Sequence, residues 1–414
     1  MNLKLRASKN DSKESVHKKI TGSKSESNRL LILQKQFSNL QIENLSNSDD
    51  TVHLQHALDS KGEVLDIGHA GTAMRFMTAY LANQPGNQVI LTGSARMKER
   101  PIGILVDALR FLGAQIEYVE KEGYPPLRIS GKRLKGGEVT MDAGVSSQYL
   151  SALLLIGSQM EDGLHLRLSG KLTSRPYLEM TTTLLTEIGL DVTFEENHIT
   201  IVSQKNINAQ SITVESDWSS AGYWYSWVAL QDPGYTMQLS SYKEKSLQGD
   251  SALASIYEQF GIQTTFDTNR ITLTKIADFN APNCLEFDLT EQPDQAQTIF
   301  ATCIGLGIDL KMTGLHTLRI KETDRIDAMK IEGARFRESE ISTTSDTIEI
   351  HFPANSLFKK SVTIDTYNDH RMALAFAPLC TKTDLIINDA DVVTKSYGDY
   401  YNDLKSVNVD ITEI

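Results

Sequence analysis

Six times along the chain, a short cluster of small and polar residues gives way to an apolar run of helical period. The segments are GSKSESNRLLIL from Gly22, HAGTAMRFMTAYLA from His69, VSSQYLSALLLIG from Val145, SDWSSAGYWYSWVAL from Ser216, PDQAQTIFATCIGLG from Pro293 and NDHRMALAFAPLC from Asn368. One anchor in each (Lys24, Gly71, Ser147, Trp218, Asp294, His370) gives spacings of 47, 76, 71, 76 and 76 residues. Spacings this regular mark copies of one unit, the first about 25 residues short.

The text between anchors repeats too. After the third come LHLRLSG, the helical SRPYLEMTTTLLTEIGL, then DVTFEE and the alternating HITIV. The fourth is followed by YTMQLSS, DSALASIYEQFGI, TTFD and RITLTK, and the fifth by LKMTGLHTLRIK, RIDAMKIEGARF and ISTTSDTIEIHF. The unit reads helix–strand–helix–strand–strand, which predicts an α/β protein with mixed sheets. One unit is too small to bury a core, whereas three make a domain of about 200 residues, giving two similar domains.

Length agrees with that count, since 414 residues give a prior of two or three domains at roughly 150 each. With 40% hydrophobic and 23% charged residues, the composition is that of a folded chain. The net charge, 41 − 53 = −12, argues against a nucleic-acid binder. The start MNLKLRASKN lacks the apolar core of a signal peptide, and the longest apolar run, Ala152 to Gly157, is far too short to cross a membrane. A cytoplasmic protein without membrane or nucleic-acid partners is expected. Cys284, Cys303 and Cys380 are scattered, and no Cys/His cluster has metal-ligand spacing, so neither disulfide nor metal site is expected. HLQH, His53 to His56, reads as a solvent-facing or core pair.

Each anchor falls where a helix begins and where Ser, Thr, Asp or Asn acts as N-cap. Free N–H groups and the positive dipole end suit an anion there. Lys24, Arg29, Arg75 and Arg371 stand at the anchors, and Arg96, Lys98, Arg100, Arg319, Lys321, Arg325 and Lys395 fall in other basic clusters. Capping and surface charge explain any one of these alone. Their recurrence predicts an anion-binding cleft inside an acidic protein. GSKS is not a P-loop, because the glycine five positions ahead is missing, and GLGID near Gly305 is not a dinucleotide fingerprint.

At this resolution a family is visible. GSKSESNR (22–29), AGTAMR (70–75), LTGSARMKERPIG (91–103), SSQYLSALL (146–154), SRPY (174–177), SDWSSA (216–221), LQGD (247–250), PDQAQT (293–298), KETDRI (321–326), NDHRMA (368–373) and KSYGDYY (395–401) resemble, in order, the 3-phosphoshikimate 1-carboxyvinyltransferase family. The resemblance implies two similar domains, each of three βαβαββ-type units around a pseudo-threefold axis, with the active site in the interdomain cleft. It places residues 22–214, whose first unit is shortened, in one domain, and residues 1–21 with 215–414 in the other. The chain then crosses between them near 18–24 and 213–218.

The family transfers the enolpyruvyl group of phosphoenolpyruvate to the 5-hydroxyl of 3-phosphoshikimate by addition and elimination, as a monomer and without cofactor. The resemblance assigns Lys24, Ser25, Arg29, Ser146, Ser147, Gln148, Ser174, Tyr177, Asp294, Thr317 and Lys321 to 3-phosphoshikimate. It assigns Lys24, Gly71, Arg100, Gln148, Arg325, His370, Arg371 and Lys395 to phosphoenolpyruvate. Asp294, Glu322 and Lys24 are the implied catalytic residues, with Asp294 taking the hydroxyl proton and Glu322 serving the methylene. Taken alone, Asp294 reads equally as a helix cap, and Glu322 as an i,i+3 partner of Arg325.

The chain departs from the family at three site positions. His69 stands where Asn is usual, Phe76 where Pro is usual, and Thr317 where Asn often contacts 3-phosphoshikimate. The stretch from Asp59 to Ile67 is about 25 residues short, which predicts a clipped strand pair in the first unit. Two other readings stay open. UDP-N-acetylglucosamine enolpyruvyl transferases share fold and donor but typically carry a cysteine near the position of Ala95. A non-catalytic anion-binding module needs the cations but not the two carboxylates.

Overall fold

The computed structural model describes residues 1–8, 16–144, 146–170, 172 and 175–414. The chain forms two compact units, Gly22–Val214 and Met1–Thr21 with Glu215–Ile414.

Among the described residues each unit contains three sheets. In the unit Gly22–Val214, Val64–Asp66, Gln88–Thr92, Leu127–Ser130 and Gln115–Tyr118 lie side by side in that order. The first pair is parallel and the other two are antiparallel. The sheet from Gly137–Asp142 to Val192–Glu195 has the same order and sense. The third sheet has only the parallel pair Gln210–Thr213 and Leu40–Glu43. Among the described residues its antiparallel strands are lacking, because the helix Asp49–Asp59 leads, across only residues 60–63, straight into the next sheet at Val64. The 47-residue first spacing is this deletion in physical form.

In the other unit all three sheets have four strands. Two of them take strands from the chain start: Leu3–Ala7 lies between Asp384–Ile387 and Val409–Glu413, and Val16–Lys18 pairs with Thr236–Ser240. Residues 1–21 therefore belong to this unit through backbone pairing, and the chain then leaves it. Gly22 allows that departure: a Cβ there would overlap the Asn44 carbonyl oxygen and lie 2.9 Å from Val214 Cγ1.

The six repeated helices are Lys24–Gln36, Gly71–Ala82, Ser147–Gly157, Trp218–Ala229, Ala296–Leu306 and His370–Phe376. Three pack together inside each unit. Ser147–Gly157 is buried from Tyr149 onward and Ala296–Leu306 from Ala296 to Gly305, as expected for helices apolar on all sides. No helix among the described residues is long and apolar enough to cross a membrane.

Five of the six anchors are the first residue of their helix. Ser23, Ser146, Asp217 and Asp369 cap through their side chains, accepting from the N–H groups of Glu26, Gln148, Ser220 and Arg371. Two starts differ from expectation. The Gly71 helix follows Ala70, which has no side-chain cap. Asp294 lies in a separate 3-10 turn, Pro293–Gln295, ahead of the helix, which frees its carboxylate for other partners.

Candidate active site

In the unit Gly22–Val214, Arg29 joins three helices. Its guanidinium donates to Thr181 Oγ1 at 2.7 Å, Ser25 O at 2.8 Å, Ser151 Oγ at 3.1 Å and Tyr177 O at 3.3 Å. The rings of Phe76 and Tyr177 flank it, 5.4 and 5.9 Å from Cζ. Burial lowers its pKa to about 10, so it stays a cation at neutral pH. Phe76, the departure from Pro, thus supplies an aromatic face to this buried cation. Lys24 Nζ, in contrast, is partly exposed and 3.7 Å from the buried Asp50.

The next helix start is built around Gly71. A Cβ at Gly71 would overlap Arg100 Nη1 and stand 3.0 Å from its Cζ, so glycine is what lets this guanidinium lie on the backbone. Arg75 donates to Gly71 O at 3.0 Å and Pro101 O at 3.1 Å, and the Tyr149 hydroxyl donates to Pro101 O at 2.6 Å. These bonds fix the residue after Arg100 from two helices. Gln148 Nε2 donates to Thr72 Oγ1 at 3.2 Å, bringing the Ser147 and Gly71 helix starts together. Ser146 and Ser147 stand at that start, Ser146 exposed. Ser174 lies outside the described residues. His69 meets His53 edge-on, with ring centroids 5.6 Å apart.

In the unit containing Glu215–Ile414, three carboxylates converge on Arg325. Its Nε donates to Asp369 Oδ2 at 2.6 Å and its Nη1 to Asp294 Oδ1 at 2.9 Å. Its Nη2 donates to Glu322 Oε2 at 2.8 Å and Asp369 Oδ1 at 3.2 Å. Four of its five N–H groups are therefore spent on protein, leaving one on Nη1. Asp324 caps the helix Arg325–Gly333 and accepts from Arg319 at 2.6 Å, which sets where that helix begins.

Arg371 gathers the remaining helix starts. It donates to Asp294 O and Oδ2 at 3.0 and 3.1 Å, to Ser219 Oγ at 3.3 Å and to Tyr223 OH at 3.4 Å. Lys321 Nζ is 3.5 Å from Asp294 Oδ1, and Lys395 Nζ donates to Glu322 Oε1 at 2.6 Å. His370 is buried, with Nδ1 3.6 Å from Asp369 Oδ1. Thr317 Oγ1 is buried without a hydrogen-bond partner among the described residues. Asp250, buried behind the cluster, accepts from Ser219 Oγ and from Gln295 Nε2.

Burial opposes ionisation of Asp294, but Arg371, Lys321 and Arg325 outweigh it and hold its pKa well below the usual range. Glu322 follows the same pattern: burial opposes, while Arg325, Lys395 and His370 favour the anion. Asp250 goes the other way, pushed up by burial. Because the first two folded values are depressed, their ionised pairing adds stability above the ordinary carboxylate range. That stability is lost as pH falls through the depressed values. The urea midpoint is expected to drop between about pH 5 and about pH 2, and less steeply in Asp294→Asn. Identical profiles for the two proteins would refute this source of acid sensitivity.

Sequence reasoning missed Asp50, Thr72, Asp250, Tyr223 and the pairing role of Asp369. Among the described residues, no group of three or more His, Cys, Asp or Glu could hold a metal ion.

The family comparison covers most of both sets of residues; Lys24, Ser25 and Arg29 precede the matched segment. Residues 36–404 match the model of EPSP synthase (3-phosphoshikimate 1-carboxyvinyltransferase). The chain belongs to the EPSP synthase family. A 3-phosphoshikimate 1-carboxyvinyltransferase of Bacteroides fragilis is 42% identical over 395 residues, 93% of this chain and 93% of its own. One from Pseudoalteromonas atlantica is 35% identical over 421 residues, covering 94% and 95%. The EPSP synthase structure from Acinetobacter baumannii superposes with a TM-score of 0.79 over 100% of both chains at 21% identity. The enolpyruvyl transferase NikO from Streptomyces tendae gives 0.74 at 14% identity over 99% and 98%. These likenesses show the enolpyruvyl transferase fold, which the six-sheet topology shares. EPSP synthase membership also accounts for a cation-rich site in an acidic chain, since that reaction joins two phosphorylated acids.

Proposed function

We propose that this chain transfers the enolpyruvyl group of phosphoenolpyruvate to the 5-hydroxyl of 3-phosphoshikimate, releasing phosphate, as a cytoplasmic monomer. One observation carries the reading: Asp294 and Glu322 are two carboxylates held by one arginine, with Lys321 on the first and Lys395 on the second. A binding module has no use for anions among its cations, whereas addition–elimination needs two proton carriers.

Asp294 takes the 5-hydroxyl proton as that oxygen bonds to the central carbon of phosphoenolpyruvate. Glu322 delivers a proton to the methylene, making a methyl group. In the elimination Glu322 takes one methyl proton back, the carbon–oxygen bond to phosphate breaks, and phosphate leaves with the proton held by Asp294. Glu322 must therefore be protonated once per turnover. Lys395 opposes this while it sits 2.6 Å from Oε1, so transfer of Lys395 to a substrate anion raises the proton affinity of Glu322 when it is needed.

Lys24, Ser25, Arg29, Ser146, Ser147, Gln148, Ser174, Tyr177, Thr317 and Lys321 receive 3-phosphoshikimate. Buried Thr317 Oγ1 then finds the partner it lacks. Lys24, Gly71, Arg100, Gln148, Arg325, His370, Arg371 and Lys395 receive phosphoenolpyruvate and stabilise the charge of the intermediate. Arg29 and Arg325 have few N–H groups left, so they act mainly by fixing their neighbours.

The reading is tested by phosphate release from phosphoenolpyruvate with 3-phosphoshikimate or UDP-N-acetylglucosamine as acceptor. Release with the first alone is expected; release with only the second would overturn it. Gly71→Ala probes the Arg100 seat. The overlap falls on the end of a flexible side chain, so the fold is expected to keep its stability. The KM for phosphoenolpyruvate is expected to rise about tenfold as the guanidinium is displaced. An unchanged KM would remove Gly71 from the site.

A further inference from the structure

Glu332 is a buried acid that this chemistry does not use. It is the penultimate residue of the Arg325–Gly333 helix, with its side chain fully enclosed, and burial pushes its carboxyl above the usual range. Its Oε1 accepts from the Tyr367 hydroxyl at 2.6 Å. Its Oε2 accepts from the Asp365 N–H at 3.2 Å and lies 3.0 Å from Arg335 Nε.

The residue it grips is strained. Tyr367 and Asn368 are consecutive non-glycine residues with φ of +54° and +56°. Left-handed backbone is uncommon outside glycine, and a tyrosine there pays a steric cost that its surroundings must offset. Asp369, His370 and Arg371 follow at once. These two residues turn the chain from the strand Ser361–Ile364 into the helix His370–Phe376, leaving Asp369 to cap that helix while it clasps Arg325.

We propose that Glu332 and Tyr367 are positioning residues whose hydrogen bond holds this left-handed turn and thereby aims Asp369 at Arg325 and Arg371 at Asp294. The helix Arg325–Gly333 is tied to the same loop at both ends, by Arg325 to Asp369 and by Glu332 to Tyr367 and Asp365. Without the second tie the turn relaxes toward ordinary backbone and both pairs lose alignment. The kinetic part of the test rests on the enolpyruvyl-transfer reading; the exchange part does not.

Tyr367→Phe deletes only the hydroxyl. Expected is a rise of about tenfold in KM for phosphoenolpyruvate with KM for 3-phosphoshikimate changed less than about twofold. Amide exchange at Arg371 and Met372, whose N–H groups bond to Asp369, is expected to speed about tenfold while the Ala296–Leu306 helix is unaffected. Glu332→Gln, which keeps the volume, is expected to give the same pattern. Adding Asn368→Gly to Tyr367→Phe makes the left-handed turn cheaper and is expected to recover most of the lost affinity. Tyr367→Phe with both KM values and the exchange rates at wild-type levels would overturn the proposal, whatever its melting temperature. So would equal losses for both substrates with no rescue by glycine. A wild-type enzyme inactive on this substrate pair would overturn the functional reading and leave the exchange result to decide the turn.

Discussion

Glu322→Gln is expected to lower turnover by a factor on the order of 10² or more while both substrates still bind. Glutamine keeps the shape and one acceptor but neither carries nor delivers the proton. Two cations touch this carboxylate from different sides, Arg325 on Oε2 and Lys395 on Oε1. An amide has only one oxygen, so one of the two loses its acceptor. The buried Arg325 is the less able to move, which leaves Lys395 released. Removing one negative charge also makes the cluster more positive, so the KM for phosphoenolpyruvate is expected to hold or fall. A fall in kcat with KM kept is the signature of an interaction used in the transition state alone. Steady-state phosphate release checks the first part and direct titration of phosphoenolpyruvate the second. Turnover within a fewfold of wild type would end the assignment of Glu322 as proton carrier.

How much of this was legible beforehand follows from which signals are local. The six helix starts were visible because each joins a polar cluster to a continuous apolar run, and Lys24, Gly71, Ser147, Trp218 and His370 are first helical residues. The strands before the anchors were not visible. Val64–Asp66 has three residues, two of them exposed, which is too short for alternation to register. Asp294 and Glu322 stood out through short motifs, but their common partner did not. Asp369 clasps Arg325 from 44 positions away, and no spacing rule reports a contact made by folding. Asp294 looked like a cap because PDQ precedes an apolar helix; the 3-10 turn that withdraws it from capping is a tertiary outcome. Phe76 looked only like a departure until its ring was found against Arg29.

Arg325→Met is expected to destabilise the fold by about 3–5 kcal/mol at neutral pH, because it removes one partner of a buried charge network and leaves the others behind. Asp369 is fully buried and loses two hydrogen bonds, while Asp294 and Glu322 lose one each. Arg371, Lys321 and Lys395 remain to offset the latter pair, so the damage centres on Asp369. Lysine does not rescue, since one ammonium lacks the planar fork that serves three carboxylates at once. The pH dependence separates this account from simple loss of packing. In the wild type the depressed carboxyl values make stability fall on acidification. In the variant Glu322 loses its strongest cation and Asp294 one of its three, so both titrate higher and protonation relieves the uncompensated charge. The stability gap between the two proteins is therefore expected to narrow from pH 7 to about pH 5, measured by urea unfolding at both. A gap that stays constant, or a loss below about 1 kcal/mol at pH 7, would mean that the three carboxylates do not depend on Arg325 for their burial.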